Sequence, residues 1–195
     1  MKKQLAILSV ASIMILSGCG NNAAPAPNNQ PNQSQETIDQ GMNHGNMDHA
    51  NMDHSSSGEI PNGLKEASNP TYKVGSQAII KSDHMEGMNG ATATIVGAYD
   101  TTAYAISYTP TTGGPRVTNH KWIIHQEIKD AGTEPFKPGT EVIVQAEHMK
   151  GMNGVTATID SAQPTTVYMV DYTPTTGGEI VRNHKWVTES ELSAK

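Results

Sequence analysis

Apolar positions along this chain alternate with their neighbours instead of recurring every third or fourth residue. Ala91, Ala93 and Ile95 are separated by Thr92 and Thr94, and Tyr104, Ile106 and Tyr108 alternate in the next run. A period of two places successive side chains on opposite faces, so both stretches predict half-buried β-strands. Tyr168, Val170 and Tyr172 repeat the pattern. Residues 77–81 and 141–145 read as short strands after Gly75 and Gly139, and Val117–Ile124 and Val181–Thr188 as further strands. Turn residues separate the runs: Gly87 with Asn89-Gly90, then Asp100 or Pro164, then Thr-Gly-Gly. No stretch carries a helical stripe.

The strands belong to an internal repeat. A shift of 64 residues lays 70–128 on 134–192 without a gap, and 30 of the 59 positions are identical. Identity gathers in blocks: His-Met-x-Gly-Met-Asn-Gly at 84–90 and 148–154, Thr-Ala-Thr-Ile at 92–95 and 156–159, Tyr-Thr-Pro-Thr-Thr-Gly-Gly at 108–114 and 172–178, and Asn-His-Lys-Trp at 119–122 and 183–186. Residues 129–133 are a short link. Four or five short strands in about 60 residues suit a small barrel, which closes its own sheet edges. The opening glycine and the closing Trp, Glu and Ile or Leu resemble an SH3-type barrel. The expected fold is therefore all-β: two tandem SH3-like barrels, at 69–128 and 134–192, behind a disordered tail.

The first residues read as an export signal. Lys2 and Lys3 precede an apolar run from Leu5 to Leu16 and then Ser17-Gly18-Cys19. About 12 apolar residues are too few to span a bilayer of about 30 Å. Leu-Ser-Gly-Cys resembles the lipobox of bacterial lipoproteins, which implies cleavage after residue 18 and lipid on Cys19. The chain is then expected on the extracytoplasmic face of the cell membrane. Residues 19–68, rich in Asn, Gln, Pro, Ser and Gly, bury too little apolar surface to offset ordering entropy and are expected to be a disordered spacer.

Composition sharpens this picture. The net charge of −6 leaves no basic excess for phosphate neutralisation, which argues against a nucleic-acid partner. With 35% apolar residues and a single Phe, one large core is not expected. Ten Met and eight His stand against one Cys, and a lipidated Cys19 leaves soft-metal chemistry to thioethers and imidazoles. The tail carries Met42 with His44, Met47 with His49 and Met52 with His54, one Met-x-His pattern three times at a period of five. Thioether sulfur favours Cu(I), and imidazole binds copper well. Ag(I) is a soft alternative, and Asp48 and Asp53 would also suit Zn(II). Within the repeats His84, Met85 and Met88 recur as His148, Met149 and Met152, and His120 recurs as His184. If the first loop approaches the fourth strand of each barrel, each repeat would assemble two His and two Met. As a structural alternative, Met85 or Met88 plugs a barrel end, and Trp122 and Trp186 are core.

These blocks, doubled behind a lipobox and a Met/His tail, resemble the YdhK family of bacterial lipoproteins, whose copper-resistance branch is called CopL. The resemblance spans nearly all of the chain after the leader. It implies a surface-exposed, copper-binding lipoprotein that limits copper toxicity. A variant of this expectation hands the copper on to a transporter, and a cell-wall component is the partner expected of an adhesion module. An adhesion module is the second expectation, with Tyr99, Tyr104, Tyr108, Tyr168, Tyr172 and the two Trp lining a groove. No enzyme is expected: no Ser or Asp recurs in both copies to build a Ser–His–acid set.

Overall fold

The structure is a computed structural model that describes residues 55–195. Cys19 and the tail residues Met42, His44, Met47, His49, Met52 and His54 lie outside the described residues. The described chain is all-β. Its strands are β1 (Lys65–Glu66), β2 (Gln77–Ile80), β3 (Thr92–Tyr108), β4 (Val117–Ile124), β5 (Glu141–Ile143), β6 (Thr156–Tyr172), β7 (Val181–Thr188) and β8 (Leu192–Ala194). Short 3₁₀ turns at His125–Glu127 and Glu189–Glu191 follow β4 and β7.

The two repeats are present, but they do not stand side by side. All eight strands form one sheet, with β5-β6-β3-β2-β8 as its path and β1, β4 and β7 pairing beside it, and the sheet is not closed. Its centre is the antiparallel pair of β3 and β6, one strand from each repeat, each of 17 residues. Their register runs from Ala93 opposite Tyr172 to Tyr108 opposite Ala157. The turns expected at Asp100 and Pro164 are therefore absent: both residues sit inside the long strands, opposite Thr166 and Thr102. Cross-strand bonding holds them there, with the Thr166 hydroxyl donating to Asp100 Oδ1 at 2.9 Å.

This crossing divides the core differently from the repeat boundaries. One core joins Ala78, Ile80, Met88 and Ile95 of the first repeat to Tyr168, Val170, Tyr172 and Leu192 of the second. Another joins Tyr104, Ile106, Tyr108 and Ile123 of the first to Val144, Met152, Val155 and Ile159 of the second. Between them Trp122 and Trp186 pack with Tyr99, Ala103, Val167 and Met169.

The loops cross as well. Thr175 N donates to the Gly87 carbonyl at 2.8 Å, and Thr111 N donates to the Gly151 carbonyl at 3.0 Å. Each His-Met-x-Gly-Met loop thus docks on the Thr-Pro-Thr-Thr-Gly-Gly loop of the other repeat. Residues 55–66 are ordered too, although the sequence reads as spacer there. Backbone bonding and one apolar anchor hold the segment: β1 pairs with Tyr99 and Asp100, and Leu64 packs against the core of Trp122 and Trp186. Ser56 N donates to the Arg182 carbonyl at 3.0 Å, and the Ser56 hydroxyl donates to the Asn183 carbonyl at 2.7 Å.

Candidate metal centre

The repeated Asn-His-Lys-Trp block sits on a distorted strand. The pairing of β3 with β4 slips between Tyr104 and Ile106 and again before Tyr108, and β6 with β7 slips at the matching places. Asn119 and Asn183 supply the turn of backbone this needs, with φ of 52° and 51°. Asparagine tolerates that left-handed region better than most residues. The Asn183 N–H is caught by Asp171 Oδ1 at 2.7 Å, and the Asn119 N–H by Asp160 Oδ2 at 3.2 Å. The following histidines then meet tyrosine edges: His120 lies at 85° to Tyr108 and His184 at 88° to Tyr172.

His84 and His148 are held by carboxylates from the opposite repeat. His84 Nε2 lies 2.7 Å from Glu191 Oε1, and His148 Nε2 lies 2.8 Å from Glu127 Oε1. The same carboxylates take the indole N–H groups. Trp122 donates to Glu191 Oε2 at 2.8 Å, and Trp186 donates to both Glu127 oxygens at 3.1 and 3.2 Å. The Glu191 Oε2 atom also accepts from Thr188 N and the Thr188 hydroxyl, both at 2.9 Å, and Glu127 Oε2 accepts from Ile124 N at 3.0 Å. Burial pushes the Glu191 carboxyl up, but bonds from His84, Thr188 and Trp122 and the charge of His84 outweigh it, leaving the group below its ordinary range. The other ring nitrogen, Nδ1, of both His84 and His148 is buried without a hydrogen-bond partner.

The sulfur atoms divide. Met88 and Met152 are fully buried and belong to the apolar cores. Met85 and Met149 are half-buried at the margins of those cores. The Met149 sulfur lies 3.9 Å from the Tyr108 hydroxyl, and the Met88 sulfur 4.0 Å from the Ser82 hydroxyl. Crossing of the repeats changes the expected grouping. Met149 and His120 meet at Tyr108, and Met85 packs on the core that holds Tyr172, the partner of His184. The loop of one repeat is therefore matched with the histidine of the other.

A cleft of about 1980 Å³ runs past these groups and is lined by His84, Met85, His120, His148, Met149 and His184. Lys121 and Lys185 lie over the faces of Trp122 and Trp186, at 5.2 and 5.8 Å from the ring centres. Burial pulls the Lys185 ammonium below its ordinary value, against the opposing pull of Glu127 and Glu59. Among the described residues no three His, Cys, Asp or Glu side chains converge as a metal-holding group. The aromatic groove expected for adhesion is not at the surface. Tyr104, Tyr108, Tyr168 and Tyr172 are buried, with Tyr99, Trp122 and Trp186, because these rings fill the three cores.

Glu127 and Glu191 are the site residues that motif reading passed over. Both satisfy the 64-residue shift, and the signal was an acidic residue recurring where no aspartate does. His125 has no counterpart, since position 189 is Glu. It bonds the Tyr104 hydroxyl at 2.9 Å, while Glu189 accepts from the Tyr168 hydroxyl at 3.1 Å, so each caps an equivalent tyrosine by different chemistry.

Known proteins place this architecture. The family model described as a protein of unknown function, DUF1541, matches twice, at residues 74–125 and 138–189. The uncharacterized protein YdhK of Bacillus subtilis (strain 168) is 57% identical over 194 residues, covering 100% of this chain and 90% of that protein. A crystal structure of a DUF1541 family protein, ydhK of Bacillus subtilis, aligns with a TM-score of 0.73 and 67% identity, over 75% of this chain and 100% of that one. The solution NMR structure of the ydhK C-terminal domain aligns with a TM-score of 0.61 and 69% identity, over 63% of this chain and 93% of that one. With both repeats matched and a full-length relative this similar, the chain belongs to the DUF1541 family.

Proposed function

We propose that this chain is an extracytoplasmic, lipid-anchored protein that sequesters Cu(I) through methionine and histidine and so contributes to copper tolerance. The observation that carries the reading is the single cleft that collects both repeated His-Met pairs and both histidines of the Asn-His-Lys-Trp blocks. Thioether and imidazole are the donor types that suit Cu(I), and Ag(I) by the same softness. The tail supports the same chemistry with three Met-x-His patterns ending at His54. The next residue, Ser55, accepts from Arg182 N through its hydroxyl at 3.0 Å, two positions from His184. Ions captured by the tail would thus be delivered beside the cleft. No catalytic step is required, and Cys19 serves as the lipid site.

The test is a Cu(I) titration under reducing conditions against a competing chromophore. Three soluble chains are compared: intact, lacking residues 41–54, and with His84, Met85, His148 and Met149 changed to Ala. Met88 and Met152 are left alone because their loss would open the cores. The intact chain is expected to hold more Cu(I) than either variant. Equal, weak uptake by all three would sink the reading.

A further inference from the structure

We propose that Glu127 and Glu191 are positioning residues that reach across the repeats to fix the tautomer of His148 and His84, leaving Nδ1 of each as the atom that ligates a soft monovalent cation. The inference rests on the copper reading above and deepens it to particular atoms.

The argument is one of donors and acceptors. Glu191 Oε2 is surrounded by the Trp122 indole N–H, the Thr188 N–H and the Thr188 hydroxyl. Its Oε1 faces His84 Nε2 at 2.7 Å. An ionised carboxylate only accepts, so the facing ring nitrogen must carry the proton. In neutral His84 the lone pair then lies on Nδ1, which is buried and unpartnered. Glu127 repeats the arrangement on His148 with Trp186 and Ile124 N as its other donors. A histidine that gives one N–H to a carboxylate and keeps the other nitrogen bare is the usual state of a metal-ligating imidazole. His84 and His148 line the same cleft as Met85 and Met149, whose thioethers select a soft ion over Zn(II). Both bare nitrogens are buried, so an ion reaches them only when the neighbouring side chains shift.

An isosteric change separates positioning from mere structure. In Glu191→Gln, the amide oxygen keeps the Trp122 and Thr188 donors, and the NH₂ group turns toward His84 Nε2. That nitrogen must then accept, so the proton moves to Nδ1 and the ligating lone pair is lost. His148, still facing Glu127, is the control within the same molecule. The experiment is ¹⁵N imidazole NMR on the full soluble chain, without metal and with Ag(I) as a redox-inert probe.

Without metal, at a pH where both imidazoles are neutral, His84 and His148 are expected to show protonated Nε2 and bare Nδ1. Ag(I) is expected to shift Nδ1 of both. Glu191→Gln is expected to switch His84 alone to the Nδ1-protonated form and to weaken Ag(I) at that site by about 10- to 100-fold, the usual effect of removing a ligand's hydrogen-bond partner. Ag(I) shifting Nε2, or His84 keeping its tautomer and affinity in Glu191→Gln, would overturn the inference while leaving the copper reading standing. If Ag(I) and Cu(I) bind nowhere on the chain, the copper reading and the ligating role of Nδ1 fail together, whereas the metal-free spectrum judges the tautomers by themselves.

Discussion

Two kinds of residue carry the sharpest consequences. The first is tyrosine. Burial pushes Tyr108, Tyr168 and Tyr172 up to about 12, with the Glu189 carboxylate adding to the effect on Tyr168. The folded value lies above the ordinary 10.0, so the fold keeps protons that the unfolded chain would release. Their contribution to stability is full below pH 10 and is lost as pH rises from there toward 12. A phenolate absorbance titration should show these three ionising only near pH 12, together with unfolding; three early, independent ionisations would contradict their burial. The second is glycine. Gly87 has φ of +74°, and an added Cβ would stand 2.6 Å from Thr176 Oγ1 and 2.8 Å from Pro174 Cβ. Gly90 shares the conformation, at φ +82°, but meets only Thr175 Cγ2 at 3.9 Å. Gly87→Ala should therefore cost more than Gly90→Ala, by roughly 1–3 kcal/mol of crowding beyond their shared backbone penalty. Denaturant melts of the two variants decide it, and equal losses would mean that the loops do not press together.

At the scale of elements, the strands were readable and their partners were not. Val117–Ile124 and Val181–Thr188 match β4 and β7 to the residue because each is bounded by turn chemistry. The runs at 91–95 and 104–108 fused into one strand. Asp100 and Pro164 are turn formers in isolation, yet here each faces a threonine on a long partner strand. Alternation assigns a side chain to a face but says nothing about which strand lies alongside, so the exchange between repeats was invisible. The same exchange redrew the site: motif reading expected His120 beside Met85, whereas Met85 packs on the core that holds Tyr172, the ring partner of His184. Because β3 finds its long partner only in β6, residues 55–133 alone should not fold as a monomer. Light scattering with amide NMR should find an unfolded chain or a symmetric dimer. A folded monomer would refute the dependence.

On the scale of the whole molecule, the two repeats form one body with a pseudo-symmetric plan. Each glutamate that follows a Trp block closes on the histidine and tryptophan of the other lobe. The cleft beside these latches is lined by Met and His of both repeats.

The reciprocal docking of the loops also bears on how such a sequence changes over generations. After most duplications one copy is released to drift while the other keeps the original task. Here the Gly87 loop is the mould for 174–176 and the Gly151 loop the mould for 111–112. A substitution in either copy is therefore judged at once by the other. The two identical His-Met-x-Gly-Met loops each face a Thr-Pro-Thr-Thr-Gly-Gly loop of the other copy, whereas His125 and Glu189 differ and each copy there solves a local problem in its own way.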